Sequence, residues 1–340
     1  MFIVRPAETR DIAALLELAS GLTQGVHTMP KSLAGIEHAV EQSLRSFASQ
    51  VDIPGEETYL FVLENSADQT LVGSAAIAAT AGSNGTFFSF RNDVIQQVSR
   101  DLNISHSVHA LTLCADLTSY SQLLSFFVHR DHQQQPQAAL LSRARLMYAA
   151  LTPERFSDHF FVSLAGYTDQ HGHSPFWEAL GRKFFQMDFL QAERMVDGAR
   201  NRTLIVELMP HYPVYVPLLP GPAQAAMGQV HDESEVPFDI LTKEGFAADD
   251  FIDIFDGGPI LQASRHALNS FAHSFSVPVA AREEGGAGSR VSYLVAAAVN
   301  FRAILVQSPP LEYGHPLRLS SEEMRSLQVG PGDAVLCLPW

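Results

Sequence analysis

The sequence predicts a mixed α/β (α+β) fold, a mixed sheet flanked by helices, with a small β-domain at the C-terminus. Three observations predict it. Runs of β-branched and aromatic residues alternate along the chain with stretches whose apolar residues recur at spacings of three and four. That alternation belongs to a chain whose helices lie between its strands and cover a sheet. Beyond the glycine-rich run REEGGAGSR (282–290), which reads as a linker, the residues shift to β-branched and turn-forming types. The implied division is 1–275 for the α/β unit and 276–340 for a β-barrel-like C-terminal unit.

FIVRP (2–6) reads as a short strand. From Asp11 onward Ile12, Leu15, Leu16 and Ala19 share one helical face, with Asp11 and Thr9 as candidate caps. A second stripe, Leu33, Ile36, Val40, Leu44 and Phe47, predicts a helix over about 32–47. TYLFVLE (58–64) and TLVGSAAIAAT (70–80) flank the turn residues NSADQ and predict a hairpin. SVHALTLCADL and LLSFFV supply two strands across 107–128, followed by a helix over AALLSRARLMYAAL (138–151). HFFVSLAG (159–166) reads as a strand, and SPFWEALG as a short helix capped by Ser174 with Pro175 in its first turn. After TLIVELM, the stretch PHYPVYVPLLPGP cannot be a central strand, because proline has no N–H for the ladder. AQAAMGQVH, PFDILTKEGF and DDFIDIFDGGP complete the first unit. VSYLVAAAVNFRAILVQ and LRLSSEEMRSLQVGPGDAVLCLPW supply the C-terminal strands, with a Gly-Pro-Gly-Asp turn between strands.

A chain of 340 residues suits one large domain with a smaller one, or two of similar size. With 46% hydrophobic and 17% charged residues it has the material for a sizeable core. The formal charge of −15, from 22 basic against 37 acidic side chains, disfavours a nucleic-acid or anionic-membrane surface and welcomes a cationic small substrate. Cys114 and Cys337 are far apart and lack ligand spacing, so neither a disulfide framework nor a zinc site is expected, and a reducing cytoplasm fits best. The histidines of HGHS (171–174) would need further ligands to bind a metal; a surface turn is the simpler reading, and no metal is expected. The opening MFIVRPAETRD has no apolar run of the length that a signal sequence or membrane span requires.

The stretch VHRDHQQQPQAALLS (128–142) runs from an apolar strand through a polar turn into a helix. Enzymes that hold a nucleotide or coenzyme A in such a turn use glycines there, so that backbone N–H groups can close on the diphosphate at the helix N-terminus. Here Gln133, Gln134, Gln135, Pro136 and Gln137 occupy it. Proline has no N–H and glutamine resists positive φ, so at least part of such a nest is missing.

Several stretches together carry a family resemblance. IVRPAETRDIAALLELA and YLFVLENSADQTLVGSAAI resemble the opening of the Gcn5-related N-acyltransferase fold. HSPFWEALGRKFFQMDF, IVELMPHYPVYVPLLP, GQVH and FIDIFDGGP resemble the arginine N-succinyltransferase family, and the matches spread from about residue 1 to 262. FSFRN (88–92), LCADLT (113–118) and MPHYPVYVPLLP resemble its alpha chains more than its beta or single-chain members. The resemblance implies transfer of a succinyl group from succinyl-CoA, as co-substrate, to the α-amino group of L-arginine, with L-ornithine as a possible second acceptor. It implies no permanently bound cofactor and a related beta chain as partner. The alternative is a non-catalytic chain that supports an active beta chain.

Direct attack of the amine on the thioester needs a base for the ammonium proton, donors for the tetrahedral oxyanion and an acid for the departing thiolate. The resemblance assigns the acid/base to His231 in GQVH; without it, His231 is one of 14 histidines and reads as a loop residue with a structural hydrogen bond. It assigns the pantetheine-pairing strand to Phe126, Phe127 and Val128, whose side chains otherwise read as plain core. Asp253 and Asp256 are candidates for the guanidinium of arginine, on the expectation that IDIFD places both on one face of a strand. The competing reading is a strand edge and a turn capped by Asp256 before Gly257 and Gly258; Glu207 is a weaker candidate. Catalytic relatives carry a basic residue and glycines in the turn after the strand, so the cradle in this chain is degenerate, with Arg130, His132, Arg143 and Arg145 as the remaining charges near it.

Overall fold

The computed structural model describes every residue except 24, 25, 27, 134, 197–206, 283–288 and 312–314. The strands are β1 (Phe2–Pro6), β2 (Thr58–Asn65), β3 (Leu71–Ala78), β4 (Ser89–Ser99), β5 (Ile104–Cys114), β6 (Ser121–Val128), β7 (His159–Ser163), β8 (Val214–Tyr215), β9 (Ala247–Ile252), β10 (Pro259–Ser264), β11 (Phe275–Ala281), β12 (Val291–Ala297), β13 (Arg302–Ser308), β14 (Leu317–Leu319) and β15 (Ala334–Pro339). Among the described residues they join in one order, β14-β11-β15-β12-β13-β1-β2-β3-β6-β7-β10-β9-β4-β5-β8. Neighbours from β1 to β6 are antiparallel, and so are those from β7 to β5. Between these halves β6 and β7 run parallel.

Strand β2 is apolar almost throughout because both faces of the sheet are covered there. Tyr59, Phe61 and Leu63 point into the core shared with α4 (Pro136–Leu151). Leu60 and Val62, one step out of phase, point to α1 (Ile12–Ser20) and α2 (Leu33–Ala48) on the opposite face. The stripe expected on the second helix is seated as predicted at Ile36 and Val40, and Ser32 caps it by accepting from the Gly35 N–H at 3.1 Å. At α1 the expected cap is replaced. The Asp11 carboxylate is buried, accepts from the Glu8 N–H and is gripped by both terminal nitrogens of Arg5 at 2.7 and 2.9 Å. Glu64 closes the same buried cluster.

Helix α4 is buried on nearly all sides, which explains its weak amphipathic pattern. The sheet lies on one side; Leu294, Ala296, Phe301 and Ala303 of the C-terminal segment and Leu241 of the helix Glu235–Glu244 join the same core. Burial of this kind contributes roughly 1.5–3 kcal/mol per large side chain. The C-terminal strands therefore continue the main sheet, through the β1/β13 pair at Val4 and Ala303, while their other face forms a second core around Val295, Val306, Leu317 and Leu327. The expected linker run falls between β11 and β12, both of which pair with β15. Its central residues lie outside the described ones.

FSFRN opens β4, which the sequence pattern leaves unpredicted and which pairs with β5 over its whole length, from Ser89 and Cys114 to Ser99 and Ile104. The proline-rich stretch contributes one strand, β8, at the end of the strand order, followed by the 3₁₀ turn Val216–Leu218. The expected TLIVELM run falls mostly outside the described residues. No helix among the described residues is long and apolar enough to cross a membrane.

Candidate active site

Strands β6 and β7 are paired only at Ser121 with Phe160 and Gln122 with Phe161, at one end of each. Beyond that point no pairing joins them and a cleft opens. On the other side of β6 the register to β3 shifts: Ser74 faces Phe127 while Ala76 faces Leu124, so three steps on β6 match two on β3. The inserted residue is Ser125, whose φ of 51° is rare for a side chain-bearing residue. Such a bulge re-aims the backbone where it occurs. The Ser125 N–H donates to Thr28 Oγ1 at 2.7 Å. Because the alternation slips, Leu123 and Phe126, three apart, both join the core beneath α4.

Two cavities meet at this bulge. One, of about 50 Å³, lies in the cleft on the α4 side, and Phe126, Phe127 and Val128 all line it together with Ser163, Arg145 and Glu233. The other, of about 170 Å³, lies on the α1/α2 side among His38, Gln42, Ser83, Gln122 and Phe87, and among the described residues no acidic side chain lines it. Thr28, Leu124 and Ser125 line both. The two faces of the sheet thus communicate at a single bulged residue.

His231 stands beside the cleft. The segment GQVH runs antiparallel to the continuation of β7: Tyr167 N–H donates to the Gln229 carbonyl, Val230 faces Gly166, and the His231 N–H donates to the Ala165 carbonyl at 2.8 Å. Ala165 lines the cleft, as do Glu233 and Ser234 of the 3₁₀ turn Asp232–Ser234 that follows. The side chain caps that turn, Nδ1 accepting from the Glu233 N–H at 3.1 Å. This bond assigns the proton of a neutral imidazole to Nε2 and leaves that nitrogen available for chemistry.

Asp253 and Asp256 do not share a strand face. Strand β9 ends at Ile252, and residues 253–258 form a turn in which every carboxylate oxygen of the two accepts from the chain. Asp253 takes the Phe255 N–H at 2.8 Å and Ser163 Oγ at 2.9 Å. Asp256 takes the Gly258 N–H at 2.8 Å and the Gly166 N–H at 2.6 Å. Short polar side chains favour such local closure over strand continuation. Both carboxylates are buried and are not among the residues lining either cavity; they hold Ser163 and Gly166, on the rim of the cleft. The glycines follow from the same contact. Gly257 has φ 72°, and a Cβ on Gly258 would run into the Leu164 carbonyl, where the two backbones touch. Glu207, the weaker candidate, is exposed.

The turn expected to be a degenerate cradle has helix on both of its flanks. Residues Arg130–Gln133 form the short helix α3, and Pro136 starts α4 with no N–H to offer, while the Ala138 N–H turns back to the Gln135 carbonyl. Gln134 lies outside the described residues. Of the charges near it, Arg130 is exposed, and His132 packs edge-on against Phe2 at 5.3 Å. Arg143 pairs at 3.2 Å with Glu244, whose carboxyl burial raises above its usual range against the opposing influence of Ser270 and Arg143. Arg145 is buried beneath the sheet, on the cleft. Sequence reasoning missed Thr28 and the role of Ser125, for which no local signal exists. For Arg145 a signal existed: it sits in an otherwise apolar helix, flanked by Ala144 and Leu146.

Parallel strands that part around a bulge, with a buried helix crossing one side of the cleft, are the arrangement expected of the acyltransferase class that the sequence resembles. Within that class the chain belongs to the arginine N-succinyltransferase family: the family described as arginine N-succinyltransferase beta subunit matches residues 2–270. Arginine N-succinyltransferase subunit alpha of Pseudomonas aeruginosa is 44% identical over 337 residues, covering 98% of each chain. Arginine N-succinyltransferase of Yersinia pseudotuberculosis serotype O:3 is 35% identical over 342 residues, covering 98% of this chain and 97% of its own. The solved structure of arginine/ornithine succinyltransferase subunit AI from Pseudomonas aeruginosa superposes with a TM-score of 0.89 at 42% identity, covering 100% of this chain and 98% of that one. The higher identity to the alpha subunit agrees with the motifs that distinguish it.

Proposed function

We propose that this chain transfers the succinyl group of succinyl-CoA to the α-amino group of L-arginine, with L-ornithine as a second acceptor. The observation that carries the reading is the junction at Ser125, where a cleft on one face of the sheet meets a larger cavity on the other. A thioester laid along β6 from the α4 side would present its carbonyl carbon at that junction. The larger cavity would receive the amino acid. The amine nitrogen attacks the thioester carbon, a C–N bond forms, and the backbone N–H groups of the bulged strand stabilise the oxyanion. Collapse breaks the C–S bond; the CoA sulfur takes the proton of His231 Nε2, and the vacated Nε2 then takes the proton that the nitrogen sheds. Thr28, whose hydroxyl accepts from the Ser125 N–H, occupies a donor that the oxyanion would use, so substrate entry exchanges one acceptor for another.

The related beta chain as partner and a cytoplasmic location belong to the same reading. Support for a second reading, a chain that assists an active beta chain, comes from the helical turn at 130–133 and the missing N–H of Pro136, which leave a diphosphate few backbone donors. The test is CoA thiol release by the purified chain with succinyl-CoA and L-arginine or L-ornithine, alone and with the beta chain. Release by the chain alone supports the enzyme. Release only with the beta chain, unchanged by His231→Ala in this chain, supports the assisting role.

A further inference from the structure

We propose that Arg145 forms an anion-binding site that recognises the free carboxylate of the acyl group, and so selects dicarboxylic acyl donors; this rests on the transfer reading above. Arg145 is 1% exposed and lines the cleft between β6 and β7. Among the described residues no carboxylate pairs with it. The other fully buried arginine, Arg5, is held by two, Asp11 and Glu64. Desolvating a guanidinium without a counter-charge is costly, and a chain that matches one buried arginine so fully has left the other for something else.

What holds Arg145 in place is weak and local. Nε donates to the Ser142 carbonyl at 3.3 Å, Nη1 to the Ala76 and Leu124 carbonyls at 3.3 and 3.4 Å, and Nη2 to Ser142 Oγ at 3.3 Å. These four long bonds leave one of the five guanidinium protons, on Nη2, without an acceptor. The Phe126 ring covers the guanidinium at 5.4 Å. Burial alone, with no neighbouring charge, pushes its pKa down to about 9, the sign of a cation in want of an anion.

The position suits an acyl tail. Ala138, in the first turn of α4, lines the same cleft seven residues earlier, so Arg145 lies about 10 Å deeper along the helix, at 1.5 Å per residue. Its contact with the Leu124 carbonyl sets it beside the Ser125 bulge, where the thioester carbon would sit. A carboxylate there supplies the missing charge through a charge-assisted hydrogen bond. A neutral tail of equal length leaves the guanidinium unpaired and, in addition, excludes water from it.

The experiment compares succinyl-CoA with butyryl-CoA, which has the same four-carbon chain with a methyl in place of the carboxylate. Dissociation constants and thiol release are measured for the whole chain, wild type, Arg145→Met and Arg145→Lys. The wild type should bind succinyl-CoA roughly 10- to 100-fold more tightly, the range of one charge-assisted bond. Arg145→Met should erase that preference with little change for butyryl-CoA, and Arg145→Lys should retain part of it. Equal affinity of the wild type for both donors overturns the proposal, a comparison that needs no variant to fold. Weakening of both donors in proportion by either variant also overturns it, and makes Arg145 a brace of the bulge. Selective, Arg145-dependent binding without thiol release sustains the proposal and sinks the transfer reading; unselective binding with release does the reverse. If neither donor binds, both fall.

Discussion

Replacing Asp256 by Ala separates a carboxylate that builds the site from one that binds substrate. In the native chain Asp256 is 5% exposed and accepts from two backbone N–H groups, Gly166 at 2.6 Å and Gly258 at 2.8 Å. Alanine leaves both donors buried without the acceptor they share. An orphaned buried donor costs about 1–3 kcal/mol, so the pair costs roughly 2–6 kcal/mol. With an unfolding entropy of roughly 2.1 cal/mol/K per residue, a chain of 340 residues loses about 1.4 °C of Tm per kcal/mol, giving a fall of roughly 3–8 °C. Urea unfolding with constant m, alongside KM for both substrates, is the assay. Because Gly166 carries the segment that pairs with Val230 and His231, kcat should fall as well. Unchanged stability with a raised KM for arginine alone would refute the reasoning, since the carboxylate would then be facing the guanidinium.

Three further outcomes are expected. His231→Ala should lower kcat by roughly 10²- to 10⁴-fold, the usual contribution of a positioned acid or base, while leaving succinyl-CoA affinity intact; undiminished turnover in the thiol-release assay would remove His231 from proton transfer. Gly257→Ala should destabilise by more than about 2 kcal/mol in urea unfolding, because φ is 72° and the new Cβ would lie 2.8 Å from Cγ of the buried Phe176; a neutral substitution would mean that the turn relaxes freely. Glu244 has its carboxyl raised by burial above the ordinary carboxylate range, so the native state binds its proton more tightly than the unfolded chain. Its contribution to stability is therefore present at low pH and is lost as pH rises from about 4.5 through the native value. Urea midpoints of Glu244→Gln should gain on the wild type over that rise, and the opposite trend would contradict the assignment.

Much of the scaffold was legible from local pattern. The stripe of Ile36 and Val40, the Ser174 cap, which accepts from the Trp177 N–H at 3.2 Å, and the β2/β3 hairpin all depend on interactions within a few residues of sequence. A further local signal lies in the C-terminal segment, where Ser320 and Glu323 form a capping box for the helix Ser321–Leu327 between its strands. Other departures had no local signal. Strand β4 carries polar residues at alternate and adjacent positions because much of it faces solvent on both sides, so its pairing with β5, and with β9 at Phe90 and Arg91, makes it a strand. Asp253 and Asp256 are spaced as they would be in either a strand or a turn; the acceptors they provide are claimed by Ser163 and Gly166, each 90 residues away.

By itself the sequence determined the alternation of helices and strands, the covered strand β2, the short turns, and family membership, because these rest on residue type and spacing. Only the tertiary structure decided the site. The bulge at Ser125 exists because β6 must match β3 on one edge while leaving β7 on the other, a conflict of register that no single strand encodes. Arg145, one of four charges near a suspected phosphate turn, became a buried cation in the cleft because α4 is covered on both sides by elements drawn from the start and the end of the chain. Burial and counter-charge are properties of what packs against a residue, and its partners here lie as much as 69 residues away.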